Sequence, residues 1–278
     1  MSSIQNCLSN LKLKTDKGAK IFTSYIVAGE YSFDETLLQM QSLAKYCDVI
    51  ELGMPFANPI ADGVVIQAAS KRSLDANSTN ILDILEIVKK FRSTNKHTAI
   101  VLMGYYNTIY KMGEDLFVKQ ISDAGCDGVI VCDLPIYENT SLAAKCFQNN
   151  LCFIQLVTNL TSYDRMLQIA SYASGFVYFV SVLGTTGTRE PDLNEISPSL
   201  VKAKSAFVKL PILLGFGIKT QDMAQKCYSI CDGIIIGSHI IELYGKLRLQ
   251  NTNPQGFVDL AKTLADFENE IKHLAPQS

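Results

Sequence analysis

The chain has 278 residues, 47% of them hydrophobic and 19% charged, with a formal charge of −2 and no basic block. That length suits one large α/β domain or two small ones, and the charge balance argues against nucleic acid or an anionic membrane surface as the main partner. No apolar run approaches a membrane span, and the opening Met-Ser-Ser-Ile-Gln-Asn lacks the pattern of a secretion signal, so a cytoplasmic protein is expected.

The chain opens on an amphipathic segment, about 2–13, whose Ile4, Leu8 and Leu11 share a face. Continuous apolar runs of parallel-strand length follow at 20–27, 48–53, 98–103, 127–132, 152–157, 176–181, 211–215 and 232–236. Helical patterns lie between them, about 33–46, 114–124, 138–149, 161–173, 192–205 and 220–229, with a final pair after Ser238 and Pro254. Another helix starts near Val64. Ser78-Thr79-Asn80 opens one more, with Ile81, Leu82, Leu85 and Val88 as its expected core stripe. Eight strands alternating with helices predict a closed (β/α)8 TIM barrel, α/β in class, over about 18–275 of a single domain 1–278. The N-terminal helix is expected to plug the barrel's bottom. An open doubly wound sheet is the alternative, but no Gly-x-Gly-x-x-Gly follows the first strand.

The apolar run from Cys47 to Ile50 delivers Glu51 to the end of a strand, and Asp62 follows on a loop stiffened by Pro55 and Pro59. A carboxylate among apolar neighbours is costly to ionise, so Glu51 there points to function, and two acids on one face can serve acid–base chemistry. Asp62 alone reads more simply as a cap for the helix near Val64. Glycine loops close strand six (Gly184 and Gly187, with Thr186 between), strand seven (Gly215-Phe-Gly217) and strand eight (Gly237-Ser238). Such loops let backbone N–H groups approach an anion, although Gly215-Phe-Gly217 alone reads equally as a tight turn. The eight cysteines form no Cys-x-x-Cys pair and the three histidines are remote from them, so buried thiols are expected rather than a metal site or disulfides.

Glu51-Leu-Gly-Met-Pro-Phe56 with Ala61-Asp-Gly63 and Ile66-Gln67 resembles the tryptophan synthase alpha chain family. So do Leu102-Met-Gly-Tyr-Tyr-Asn107, Asp133-Leu-Pro135, Ser181-Val-Leu-Gly-Thr-Thr-Gly187 and Gly215-Phe-Gly-Ile218, in family order from about 20 to 240. The resemblance implies an eight-stranded barrel that cleaves indole-3-glycerol phosphate to indole and glyceraldehyde 3-phosphate in tryptophan biosynthesis. It implies no cofactor or metal on this chain, with pyridoxal phosphate on a beta-chain partner in an α2β2 heterotetramer. On the same basis Glu51 is the general acid–base carboxyl, and Asp62 accepts the indole N–H. Thr186 sits on a mobile loop that meets Asp62 on closure. Gly187, Gly217, Gly237 and Ser238 hold the phosphate, while Tyr25 and Tyr178 flank the ring or simply fill the barrel core.

The departures from the family pattern are Gly29-Glu30-Tyr31 for Gly-Asp-Pro, Asn58 for an aspartate tied to beta-chain communication, Val64 for a proline, and Asn159 for a proline. They motivate an alternative, a catalytically weak scaffold that activates the beta chain. A different phosphate-binding barrel lyase or epimerase would share the glycine loops but has no reason to carry the 51–67 segment.

Overall fold

A computed structural model describes residues 6–135, 138–181, 193–215, 217–256 and 258–276. Eight strands form the centre: β1 Ile21–Val27, β2 Val49–Gly53, β3 Ala99–Gly104, β4 Gly128–Val131, β5 Cys152–Thr158, β6 Val177–Val180, β7 Ile212–Gly215 and β8 Gly233–Ile236. Each pairs in parallel with the next, and β8 returns to β1, so the sheet closes as a TIM barrel with no open edge. Around it run α1 Leu11–Asp16, α2 Phe33–Leu43, α3 Val64–Asn77, α4 Ile81–Thr94, α5 Tyr106–Met112, α6 Glu114–Ala124, α7 Asn139–Gln148, α8 Tyr163–Ala170, α9 Leu193–Ala206, α10 Gln221–Ile230, α11 Ser238–Gln250 and α12 Leu260–Ile271. No helix among the described residues is long and apolar enough to cross a membrane.

The strands read as continuous apolar runs because both of their faces are buried. Phe22, Ile50, Leu102 and Phe179 point outward and pack under the helices. Alternate residues such as Ile21, Val49, Val101 and Ile154 point inward and fill the barrel. The inward cluster also contains Leu8 and Leu11, from a 3-10 turn (Cys7–Asn10) and α1. Leu8 reaches the start of β4, where a Cβ on Gly128 would stand 3.1 Å from its Cδ1. The N-terminal segment therefore closes the barrel at the end opposite the strand C-termini.

Two details differ from the sequence reading. Leu82, placed in the α4 core stripe, is 55% exposed; Ile84, Ile87 and Phe91 carry the buried face beside Leu85 and Val88. Helix α5 is an addition, and its first N–H, on Tyr106, donates to the Asp133 carboxylate at 2.7 Å from the loop after β4. The unusual Glu30-Tyr31 pair also finds its place. Glu30 is buried and paired with Arg72 of α3, while Arg248 of α11 lies 4.4 Å over the Tyr31 ring and donates to Glu35 at 2.9 Å. These contacts tie α2, α3 and α11 together beside the barrel mouth.

Asp127, just before β4, is the polar anchor of the closed end. Its carboxylate accepts the N–H of Cys7 and of Ile100, both at 2.7 Å, and pairs with the Arg92 guanidinium. Both partners are almost fully buried. Removing one charge strands the other away from water, which costs about 3–5 kcal/mol. Asp127→Ala is accordingly expected to lose that much stability in urea unfolding; a loss below about 1 kcal/mol would show the pair to be expendable.

Candidate active site

The cavity opens at the strand C-termini, where a barrel of this kind displays its functional groups. Counted out to its open mouth, open solvent included, it holds about 910 Å³ of empty space. Every strand except β4 and β7 contributes a lining residue, and the segments after those two supply Cys132, Gly217 and Ile218. Among the expected site residues, Tyr25, Glu51, Asp62, Tyr178, Gly217, Gly237 and Ser238 all line it. Thr186 and Gly187 lie outside the described residues.

Glu51 is the third of the five residues of β2, not the last. It shares the inward face with Val49, and its register neighbours are Tyr25 on β1 and Val101 on β3. The side chain is 0% exposed and neither carboxyl oxygen has a hydrogen-bond partner. With no donor to stabilise an anion, burial pushes its pKa from 4.5 up to about 8. At neutral pH this group is a carboxylic acid holding its proton.

Asp62 sits in a different environment. Its N–H donates to the Pro59 carbonyl at 3.0 Å, closing a turn in the proline-bearing loop. The Tyr105 hydroxyl donates to Asp62 Oδ2 at 2.9 Å, and that hydroxyl accepts the Ala61 N–H at 3.0 Å. Phe56 stacks on the Tyr105 ring with centroids 4.9 Å apart. Burial raises the Asp62 pKa, and the phenol's hydrogen bond opposes that rise. The expected helix cap is absent: Gly63 occupies the N-cap of α3, and no side chain caps it. Spending its carboxylate on Tyr105 leaves Asp62 turned into the cavity. In the sequence Tyr105 is one residue of the 102–107 motif; its role depends on β3 ending beside the 54–63 loop, which no spacing reveals.

Across the cavity the glycines divide their tasks. Gly217 holds a φ of +72°, a conformation that L side chains rarely adopt, and lines the space. Gly215 instead makes room for Tyr178, since a Cβ there would stand 2.3 Å from the ring. Gly237 is the N-cap of the 13-residue α11 and Ser238 its first residue. A helix leaves its first N–H groups without intrahelical partners and carries partial positive charge there, the arrangement that receives an anion.

Fold and cavity together define a TIM barrel with a pocket at the strand C-termini. The family model of the tryptophan synthase alpha chain matches residues 11–272, and the chain belongs to that family of carbon–carbon lyases. It is similar to the tryptophan synthase subunit alpha of Legionella pneumophila str. Paris, at 33% identity and a TM-score of 0.84, covering 97% of this chain and 98% of that one. A protein of Aquifex aeolicus VF5 matches at 28% identity and a TM-score of 0.82, over 99% of this chain and 98% of the other. A chain from the tryptophan synthase α2β2 complex of Pyrococcus furiosus matches at 29% identity and a TM-score of 0.80, over 92% and 98%.

The Glu51 environment has a stability consequence. A carboxyl whose folded pKa is raised holds a proton that the unfolded chain releases between pH 4.5 and about 8. Folding stability therefore falls as pH rises through that window, by at most about 1.4 kcal/mol per pH unit. Glu51→Gln removes the linkage. The variant is expected to melt above the parent at pH 8, with the gap closing toward pH 4.5; a gap independent of pH would contradict a raised Glu51 pKa.

Proposed function

We propose that the chain cleaves indole-3-glycerol phosphate with Glu51 and Asp62 as its acid–base pair, as the alpha subunit of a tryptophan synthase. The observation that carries this is a neutral, unpartnered acid and a hydrogen-bonded carboxylate in one cavity that the N-terminus of α11 also lines. Glu51 donates its proton to the indole carbon that bears the glycerol chain. Positive charge then develops on the ring, and Asp62 steadies it by accepting the indole N–H. The carbon–carbon bond breaks as the adjacent glycerol hydroxyl loses its proton and becomes the aldehyde. Donation has left Glu51 as a carboxylate, so the same group takes up that proton and returns to its starting state. No electrons are gained or lost overall, and the step asks for no metal or cofactor on this chain.

Gly187, Gly217, Gly237 and Ser238 are assigned to the phosphate, Tyr25 and Tyr178 to the walls beside the ring, and Thr186 to contact with Asp62. The partner is a beta chain, which carries the pyridoxal phosphate and takes the indole onward; the Pyrococcus furiosus relative functions in an α2β2 complex. Asn58 is exposed on the loop that also carries Asp62, so a partner touching it reaches the N–H acceptor through one short stretch of backbone. We read 1–278 as one domain acting in the cytoplasm. A pure scaffold role draws no support from the cavity, where both carboxyl groups are in place.

The test is indole release from indole-3-glycerol phosphate, by the chain alone and with its beta chain. Glu51→Gln is expected to lower the rate at least about 100-fold, the scale of general acid–base catalysis, with the fold unchanged. A variant that retains the parental rate would remove the carboxyl mechanism.

A further inference from the structure

The Tyr25 phenol lies in a place that only a glycine neighbour permits. Tyr25 and Glu51 are register partners on β1 and β2, and both face the cavity. Two residues beyond Glu51, on the same inward face, stands Gly53. A Cβ built on Gly53 would meet the Tyr25 hydroxyl at 2.2 Å, Cζ at 2.6 Å and Cε2 at 2.9 Å. The ring therefore leaves β1 beside Glu51 and ends against the backbone of Gly53, crossing the interval between the carboxyl and the barrel mouth. Its other side is backed by Gly237, where a Cβ would make ordinary contact at 3.4 Å.

We propose that Gly53 is a positioning residue: its missing side chain seats the Tyr25 ring across the end of β2, where the ring shields the Glu51 carboxyl from water at the cavity mouth. The inference rests on Glu51 as the proton-transfer group. Among the described residues, the titratable groups that share the cavity with Glu51 are Asp62, Tyr25, Cys132 and Tyr178. Burial pushes the thiol and both phenols upward, so they stay neutral through the working pH range. Asp62 is thus the facing charge, and it is common to all the variants below.

The full chain carrying Gly53→Ala, Tyr25→Leu or both separates the outcomes. Leucine removes all three of the tyrosine atoms that a Cβ at Gly53 would strike. Gly53→Ala is expected to lower kcat about 10-fold or more, as a misplaced group near reacting atoms does, with KM changed less. In the Tyr25→Leu background the same alanine is expected to cost nothing further, because the clash is gone. Tyr25→Leu alone is expected to move the high-pH limb of kcat/KM to lower pH, since water then reaches Glu51. A loss of packing alone would leave that limb in place. Parental kcat in Gly53→Ala, losses that multiply in the double variant, or an unmoved limb in Tyr25→Leu would each overturn the proposal. If Gly53→Ala fails to fold, the limb of Tyr25→Leu still decides. Glu51→Gln serves as the control: parental activity there refutes the proton-transfer assignment itself and leaves the coupling of Gly53 to Tyr25 to be read from the cycle.

Discussion

A carboxyl group keeps its proton near neutral pH only while water and hydrogen-bond donors are kept from it. The folding of this chain around Glu51 meets that condition from several directions. Closure of eight strands removes every sheet edge that could lead water to β2. Leu8 and Leu11 seal the far end of the barrel, held there by the Asp127 and Arg92 pair. Val101 packs beside the carboxyl in register, and Tyr25 stands on the other flank. Each of these contacts would be ordinary core packing in another protein. Around an acid without a hydrogen-bond partner they add up to a chemical property, a proton held through neutral pH.

The second acid shows how much the immediate surroundings matter. Asp62 is nearly as buried as Glu51, yet it has a phenol to bind its charge, and that phenol is itself pinned by the Ala61 N–H and the Phe56 ring. The two carboxyl groups thus differ in kind: Glu51 has no donor to support an anion, and Asp62 has the Tyr105 hydroxyl. Pairs of titratable groups pushed apart by environment are the usual basis for acid and base roles in one site.

Much of this was legible in the sequence, for definable reasons. Strands buried on both faces leave uninterrupted apolar runs, and the seven residues of β1 are an example. Glu51 stood out because an acid in such a run violates the pattern. The position of Leu82 was not legible, since α4 carries apolar residues around a wide arc and only packing selects the face. Helix α5 was missed because the carboxylate at its start comes from Asp133, on another loop. Asp62 looked like a helix cap until the Tyr105 hydroxyl, 43 residues away, claimed its carboxylate. What eluded the sequence in each case was a partner supplied by the fold, not a local preference.

The most direct measurement is the protonation state of Glu51 itself, read as the carbonyl stretch of a protonated carboxylic acid in the infrared difference between parent and Glu51→Gln. The band is expected to persist through neutral pH and to disappear with a midpoint near 8. A band already lost by pH 6 would mean that the barrel holds an ionised carboxylate there, and the proton for the indole ring would need another source.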